Sequence, residues 1–461
     1  MTVEAASALL AGLGERLPEL RVLAEATDTE AFRFDETEYM RPGHPLAVCF
    51  PRSTSDVRQI VLLCAELGVP IVPRGAGTGL SGGAVAVEGA LTVVFTQMNA
   101  IVEIDTGNLT ATVQPGVINA ELGAAVAAVS LFYPPDPASF EMCTIGGNLA
   151  ENSGGLRCVK YGVTRDFVLG LEVVLADGAV IRTGGKNIKD VAGYDLTSLF
   201  VGSEGTLGII TEATLRLVPL PPAKLTMLAF FPTVPAAGDA VARITAAGIV
   251  PVTLELMDAF TIAAVDDMHQ LGLDRAAAAM LMVESDASGE RAEAELAGAE
   301  AACEAAGATS VIRARDPQEA DWLRQARRAA HGALERAGVA RMDDVGVPRS
   351  RIPEMLQQIE LVSRNHKLRI GVFGHAGDGN LHPTYVLDQE DPTAEARIDA
   401  ARDEIYRAAL ALGGTVTGEH GTGLAKRGWL ELQRGPAAVA VMRSIKAALD
   451  PAGLFNPGKM L

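Results

Sequence analysis

The chain has 461 residues, 48% of them hydrophobic, and carries a formal charge of −18. That length allows two domains with separate cores, the acidity argues against nucleic acid and anionic membrane as partners, and no apolar run reaches the roughly 18 to 20 residues of a membrane span. Cys49, Cys64, Cys143, Cys158 and Cys303 are scattered with no C-x-x-C pair, so no iron–sulfur cluster is expected on this chain and a reducing cytoplasm suits it.

In chain order, the opening Met-Thr-Val-Glu-Ala-Ala-Ser lacks the basic region of a signal peptide. The first strong element is a helix after Ser53. Ser53-Thr54-Ser55-Asp56 fits a capping box, Val57, Ile60, Val61 and Cys64 recur at helical spacing, and Gly68 ends it. Residues 68–72 read as a strand that leads into Pro73-Arg74-Gly75-Ala76-Gly77-Thr78-Gly79-Leu80-Ser81-Gly82-Gly83. Gly77, Gly79 and Gly82 match the G-x-G-x-x-G of nicotinamide-dependent dehydrogenases. That fingerprint requires a helix directly after the glycines, and here 84–95 reads as extended chain. A glycine loop without the helix can still cradle a pyrophosphate on successive backbone N–H groups.

Small and amide residues then recur at turns between short strands such as 171–175: Pro135-Asp136, Thr144, Gly147-Asn148, Ser153-Gly154, Glu204-Gly205 and Ile210. Small residues let a flat ring system lie on the backbone, while Asn and Thr supply hydrogen bonds to its polar edge. Pro219–Pro222 reads as a linker. Beyond it the texture becomes α+β. Strands at 224–231, 253–257 and 278–284 alternate with helices at 289–306, 351–366 and 391–412, and 437–449 forms a closing helix.

Three of the seven histidines fall in two short motifs, Gly374-His375-Ala-Gly-Asp-Gly-Asn380-Leu-His382 and Gly418-Glu419-His420-Gly421. On one straight strand His375 and His382 would face opposite sides. Gly377-Asp378-Gly379 is a strong turn signal, so the two can sit on the arms of a hairpin and converge. Two imidazoles and the Glu419 carboxylate suit a divalent metal that keeps an open position, with His420 to spare. Upstream, Arg324, Arg327 and Arg328 lie on one helical segment, where an arginine fork is the natural grip for a carboxylate. Arg324 and Arg328 read as a solvated basic face.

From about Pro51 to Lys459 these motifs resemble the flavoproteins of vanillyl-alcohol oxidase type. Within them, the chain resembles the FAD-dependent D-2-hydroxyacid dehydrogenases, which include glycolate oxidase catalytic subunits, D-lactate dehydrogenases and D-2-hydroxyglutarate dehydrogenases. The resemblance implies an α+β fold: a two-subdomain FAD-binding domain over 1–220, a ferredoxin-like substrate (cap) domain over 221–425, and a C-terminal helical return over 426–461. It implies that Pro73 to Ser81 binds the FAD pyrophosphate. Pro135, Asp136, Thr144, Gly147, Asn148, Ser153, Gly154, Glu204, Gly205, Ile210 and Asn456 would line the rest of the cofactor. No histidine lies in the glycine loop to attach FAD covalently, so dissociable binding is expected.

The same resemblance makes His375, His382 and Glu419 the ligands of zinc or manganese and His420 the general base. Arg327 grips the substrate carboxylate, with Asn380 also on the substrate side. Hydride would pass to FAD N5, and electrons would leave to an electron-transfer flavoprotein, a quinone or an iron–sulfur subunit. A homodimer is compatible with it. Enzymes of the family that use dicarboxylates are expected to carry Lys near Met342 and Asn near Thr384. Neither is present, which favours a monocarboxylate such as D-lactate or glycolate over D-2-hydroxyglutarate. A non-catalytic flavin electron-transfer subunit would have no need for the His/Glu set.

Overall fold

A computed structural model describes residues 3–37, 39–388, 391 and 393–461. The chain divides into two compact units, both discontinuous in sequence. The first comprises Met1–Gly154, Val163–Leu220 and His420–Leu461; the second comprises Gly155–Gly162 and Pro221–Glu419.

In the first unit a four-stranded sheet runs in the order Arg21–Leu23, Ala47–Phe50, Leu91–Val94, Ile71–Arg74. Its last three strands are parallel. Parallel strands are covered on both faces, and the burial agrees: Ala47–Phe50 and Leu91–Val94 are buried at every position. The expected helix spans Thr54–Leu67 and buries Val57, Ile60, Val61, Leu63 and Cys64 in the sheet's core. Ser53 caps it by accepting from the Asp56 amide, and Gly68 closes it in the left-handed conformation. The other half of the capping box is displaced by one residue, because Asp56 Oδ2 accepts from Arg52 N at 2.8 Å.

A second, antiparallel sheet follows in the order Ile101–Asp105, Thr110–Val113, Ile209–Arg216, Val168–Val174, Val180–Gly184. These two sheets correspond to the two subdomains that the resemblance implies. The closing helix spans Pro436–Leu449, and the chain beyond it returns to the first sheet. Phe455 bridges to Ile71, and Asn456 N donates to Ile71 O at 2.7 Å.

The second unit is built on one antiparallel sheet, in the order Ser310–Arg313, Leu225–Phe231, Ala279–Ser285, Thr253–Asp258, Arg369–His375, Asn380–Leu387, Val339–Met342. Counted along the chain, the first four strands stand in the order 4-1-3-2, with helices Val234–Ala246 and Glu290–Ala305 as the crossovers. That is the ferredoxin-like arrangement. The extra strands extend it and carry the histidines. The helix expected at 391–412 is observed over Ala394–Ala411, and Pro392 lies outside the described residues. Among the described residues no helix is long and apolar enough to cross a membrane.

Candidate active site

In the first unit a cleft opens above the glycine loop. It is lined by the loop from Pro73 to Gly79, by Thr144, Gly147, Asn148 and Ser153, and by Glu204, Gly205, Ile210 and Asn456. Leu80, Ser81, Pro135, Asp136 and Gly154 stand outside this lining. Ser81 is fully buried and its carbonyl accepts from Leu424 N and Ala425 N. The Pro135 carbonyl accepts from Asn119 Nδ2 at 3.1 Å.

Gly75 has no room for a side chain, since a Cβ there would lie 2.3 Å from Thr144 Oγ1. Gly77 has φ +85°, and a Cβ there would lie 2.0 Å from Arg74 Nη2. The loop therefore presents backbone to the cleft, which suits a pyrophosphate. Asn148 is 2% exposed, and its Nδ2 has no hydrogen-bond partner among the described residues. A buried donor left in this state is costly unless a ligand meets it. An open backbone nest and an unspent amide fit the polar edge of FAD.

The C-terminal return holds this loop by its carbonyls. Asn456 Nδ2 donates to Gly83 O and Glu204 O, and Lys459 Nζ donates to Gly83 O and Val85 O. Glu204 sits at φ +52°. Its carboxylate accepts from Thr422 N and Gly423 N at 2.7 Å each, so it ties the return down as well as facing the cleft. Lys459 was not anticipated from sequence. A lone lysine near a terminus carries no signal until the return is known.

In the second unit the histidine motif folds as a hairpin, with Arg369–His375 and Asn380–Leu387 joined through Ala376–Gly379. His375 pairs with Asn380 and Phe373 with His382, so the turn converts a seven-residue separation into diagonal neighbours on one face. The two rings lie 5.2 Å apart at 85°. His375 Nε2 and His382 Nε2 each stand 3.2 Å from Glu419 Oε1, and the three ligand atoms lie within 4.8 Å of one another. Two imidazole nitrogens and a carboxylate oxygen converging this closely fit a divalent cation such as zinc or manganese.

Glu419 is aimed by its own loop. Asp344, fully buried, accepts from Thr417 Oγ1, Gly418 N and Glu419 N at 2.8 to 3.0 Å. Its other oxygen takes Asn380 Nδ2, which also donates to Val345 O. Asn380 thus braces the Gly418 turn with the amide that the resemblance had assigned to substrate. His420, next in the chain, is 8% exposed and begins the last segment of the first unit.

A further carboxylate was missed from sequence. Glu255, 1% exposed at the centre of Thr253–Asp258, receives His375 Nδ1 at 2.8 and 2.9 Å and Arg327 Nε at 2.7 Å. Arg327 is 7% exposed and its guanidinium lies 4.8 Å from the Phe373 ring centroid. Its Nη atoms make no hydrogen bond to a described residue. Arg324 departs from the expected solvated face: it pairs with the buried Glu284 at 3.2 Å. Arg328, 58% exposed in its side chain, does lie on that face.

Burial acts first on each ionised group here, and the partners outweigh it. It disfavours the His375 imidazolium, yet Glu255 and Glu419 together hold that pKa well above the ordinary value. It disfavours the Glu419 carboxylate, yet His375 and His382 hold that pKa well below the usual range. Glu255 is likewise lowered, against burial, by His375 and Arg327.

Comparison with known proteins agrees with this layout. An FAD binding domain model matches residues 45–184, and a model of the C-terminal domain of FAD linked oxidases matches 220–460. The chain is 50% identical over 417 residues to glycolate oxidase subunit GlcD of Bacillus subtilis (strain 168), covering 90% of this chain and 89% of that one. It is 38% identical over 424 residues to a probable mitochondrial D-lactate dehydrogenase of Danio rerio, covering 90% and 84%. A solved 4-ethylphenol oxidase from Gulosibacter chungangensis shares the fold with a TM-score of 0.81 at 20% identity, covering 100% of this chain and 98% of that one.

Proposed function

The chain belongs to the FAD-linked oxidases, an oxidoreductase family with the vanillyl-alcohol-oxidase-type fold, and from that membership we propose that it oxidises a D-2-hydroxy monocarboxylic acid, glycolate or D-lactate in kind, to the 2-oxo acid. The observation that carries this reading is the convergence of His375, His382 and Glu419 in the second unit, with Arg327 tied to the same cluster through Glu255. The similarity to a glycolate oxidase subunit and to a D-lactate dehydrogenase supports the substrate class.

FAD, held by the glycine loop and the Asn148 side of the cleft, supplies the two-electron acceptor. A divalent cation on His375, His382 and Glu419 supplies Lewis acidity. The remaining work falls to side chains. Arg327, fixed through Nε, offers its two Nη atoms to the substrate carboxylate as a fork. His420 takes the proton from the 2-hydroxyl oxygen. Met342 and Thr384 pair across the strands beside His382, and neither carries a charge to pair with a second carboxylate. Leaving that charge buried and unpaired would cost several kcal/mol, by order of magnitude.

Electrons then pass to a separate partner, an electron-transfer flavoprotein, a quinone or an iron–sulfur subunit, rather than to NAD. Among the described residues no two cysteines form a disulfide, which supports a cytoplasmic setting. The test is anaerobic mixing with a panel of D- and L-2-hydroxy acids while following flavin absorbance. Bleaching by D-lactate or glycolate and none by their L-counterparts is expected where a counterpart exists; a panel that leaves the flavin oxidised throughout would refute the reading.

A further inference from the structure

Glu255 lies outside every motif of the sequence, yet it touches two of the residues that the proposed function uses. It occupies an apolar strand between Leu254 and Leu256, both buried. Leu256 pairs with Gly374, so one step further along the register brings Glu255 opposite His375. A carboxylate here is out of water and must be matched by charged donors, and the two donors it meets are His375 Nδ1 and Arg327 Nε.

Which atoms it takes matters more than that it is paired. By accepting from Nδ1–H it keeps that ring nitrogen as the donor, so that Nε2, the atom facing Glu419, is the one that would give up its proton and present a lone pair to a cation. By accepting from Nε it locks the Arg327 rotamer while leaving both Nη atoms for a carboxylate. A carboxylate whose task was only to neutralise Arg327 could have met the Nη pair as a fork, and would then have spent the grip. Packing alone would be served by an apolar strand residue without desolvating a charge.

We propose that Glu255 is a positioning residue that sets the metal-facing nitrogen of His375 and the carboxylate-facing edge of Arg327 together, so that metal affinity and substrate affinity depend on one side chain. This rests on the metal and substrate reading given above. It adds that the two are structurally joined through a group that contacts neither metal nor substrate.

The test compares wild type, Glu255→Gln and Glu255→Asp, each with FAD bound. Zinc affinity is read by competition with a chromophoric chelator, and KM and kcat for D-lactate are read separately. Gln keeps the length but turns an NH2 toward a donor. Zinc affinity should fall by about 10- to 100-fold, and KM should rise at least several-fold. Asp keeps the charge but retracts it by one methylene, so it should also lose several-fold in both readouts. An Asp variant indistinguishable from wild type beside a weakened Gln variant would mean charge rather than position, and overturns the proposal. So does any Gln variant in which zinc affinity or KM alone moves, or neither. If Gln does not fold, the Asp variant decides by the same criteria. Wild type that binds neither zinc nor manganese sinks the metal reading and this proposal with it; wild type that binds, with unaffected variants, sinks this proposal alone.

Discussion

The glycine loop of the first unit and the histidine hairpin of the second are built in opposite ways. Around the loop the working surface is backbone. Its shape is held from behind by carbonyl contacts to Asn456 and Lys459 and by the packing of Gly77 against Arg74. On the hairpin the working surface is side chains, standing on a continuous sheet and oriented by buried carboxylates, Glu255 behind His375 and Asp344 behind Glu419. A backbone-built site spreads its function over many peptide groups. A side-chain-built site concentrates it, so single substitutions should strike the two units very differently.

The largest expected effect is therefore on the hairpin. His382→Ala removes one of the three proposed metal ligands, and turnover should fall about 10³-fold, the loss that follows when a Lewis acid contributes several kcal/mol. Chelation of wild type should match it. FAD content, measured by absorbance after gel filtration, should be unchanged in both cases, because no residue of the flavin cleft is among the ligands. Loss of FAD along with activity would break the contrast between the units.

The next effect is smaller and sharpens the comparison within the second unit. Arg327→Ala should raise KM for every 2-hydroxy acid by roughly 10- to 100-fold, since a charge-assisted hydrogen bond contributes about 1.5–3 kcal/mol. Arg327→Lys should recover only part, because an ammonium cannot make the paired contact. D-2-hydroxyglutarate should remain much poorer than D-lactate in wild type. The highest kcat/KM of the panel for D-2-hydroxyglutarate would mean that another cation reaches its distal carboxylate.

What could be read from sequence follows the same division. His375 and His382 were legible because histidine is rare here and a Gly-Asp-Gly turn dictates which face they share, and Glu419 because it adjoins a third histidine between glycines. The glycine loop was legible by its density, and the lack of a following helix told it apart from a Rossmann turn. The residues that support both sites were not. Glu255 looks like any polar residue in a strand until 253–258 is known to lie beside 369–375, a pairing of strands more than a hundred residues apart. Arg324 looked solvated because its partner, Glu284, lies on a strand distant in sequence from the Arg324 helix. Asn380 sits inside the histidine motif, yet its amide is spent on Asp344. Local motifs announce groups that meet ligands; what orients them comes from non-local register, which a single sequence does not encode visibly.

The smallest expected effect belongs to the backbone-built site, where one side chain works against the fold. Glu151 lines the flavin cleft, and its Oε2 is buried with no hydrogen-bond partner among the described residues. Burial, then repulsion from Glu204 and Asp35, raises its pKa well above the ordinary carboxyl value of 4.5, and Lys459 only partly offsets this. The unfolded chain therefore releases this proton at lower pH than the folded chain does. Between the two pKa values the native state holds more protons, so stability falls as pH rises from about 4.5 and stays reduced above the folded pKa. Glu151→Gln removes the ionisation and keeps the shape. At neutral pH it should raise the Tm of FAD-depleted protein by about 2–4 °C, the shift that roughly 1 kcal/mol produces in a domain of this size. At pH 4 the two proteins should melt together. Melting curves that stay parallel from pH 4 to 8 would show that Glu151 is ionised at no cost, and that the cleft wall is better solvated than its geometry indicates.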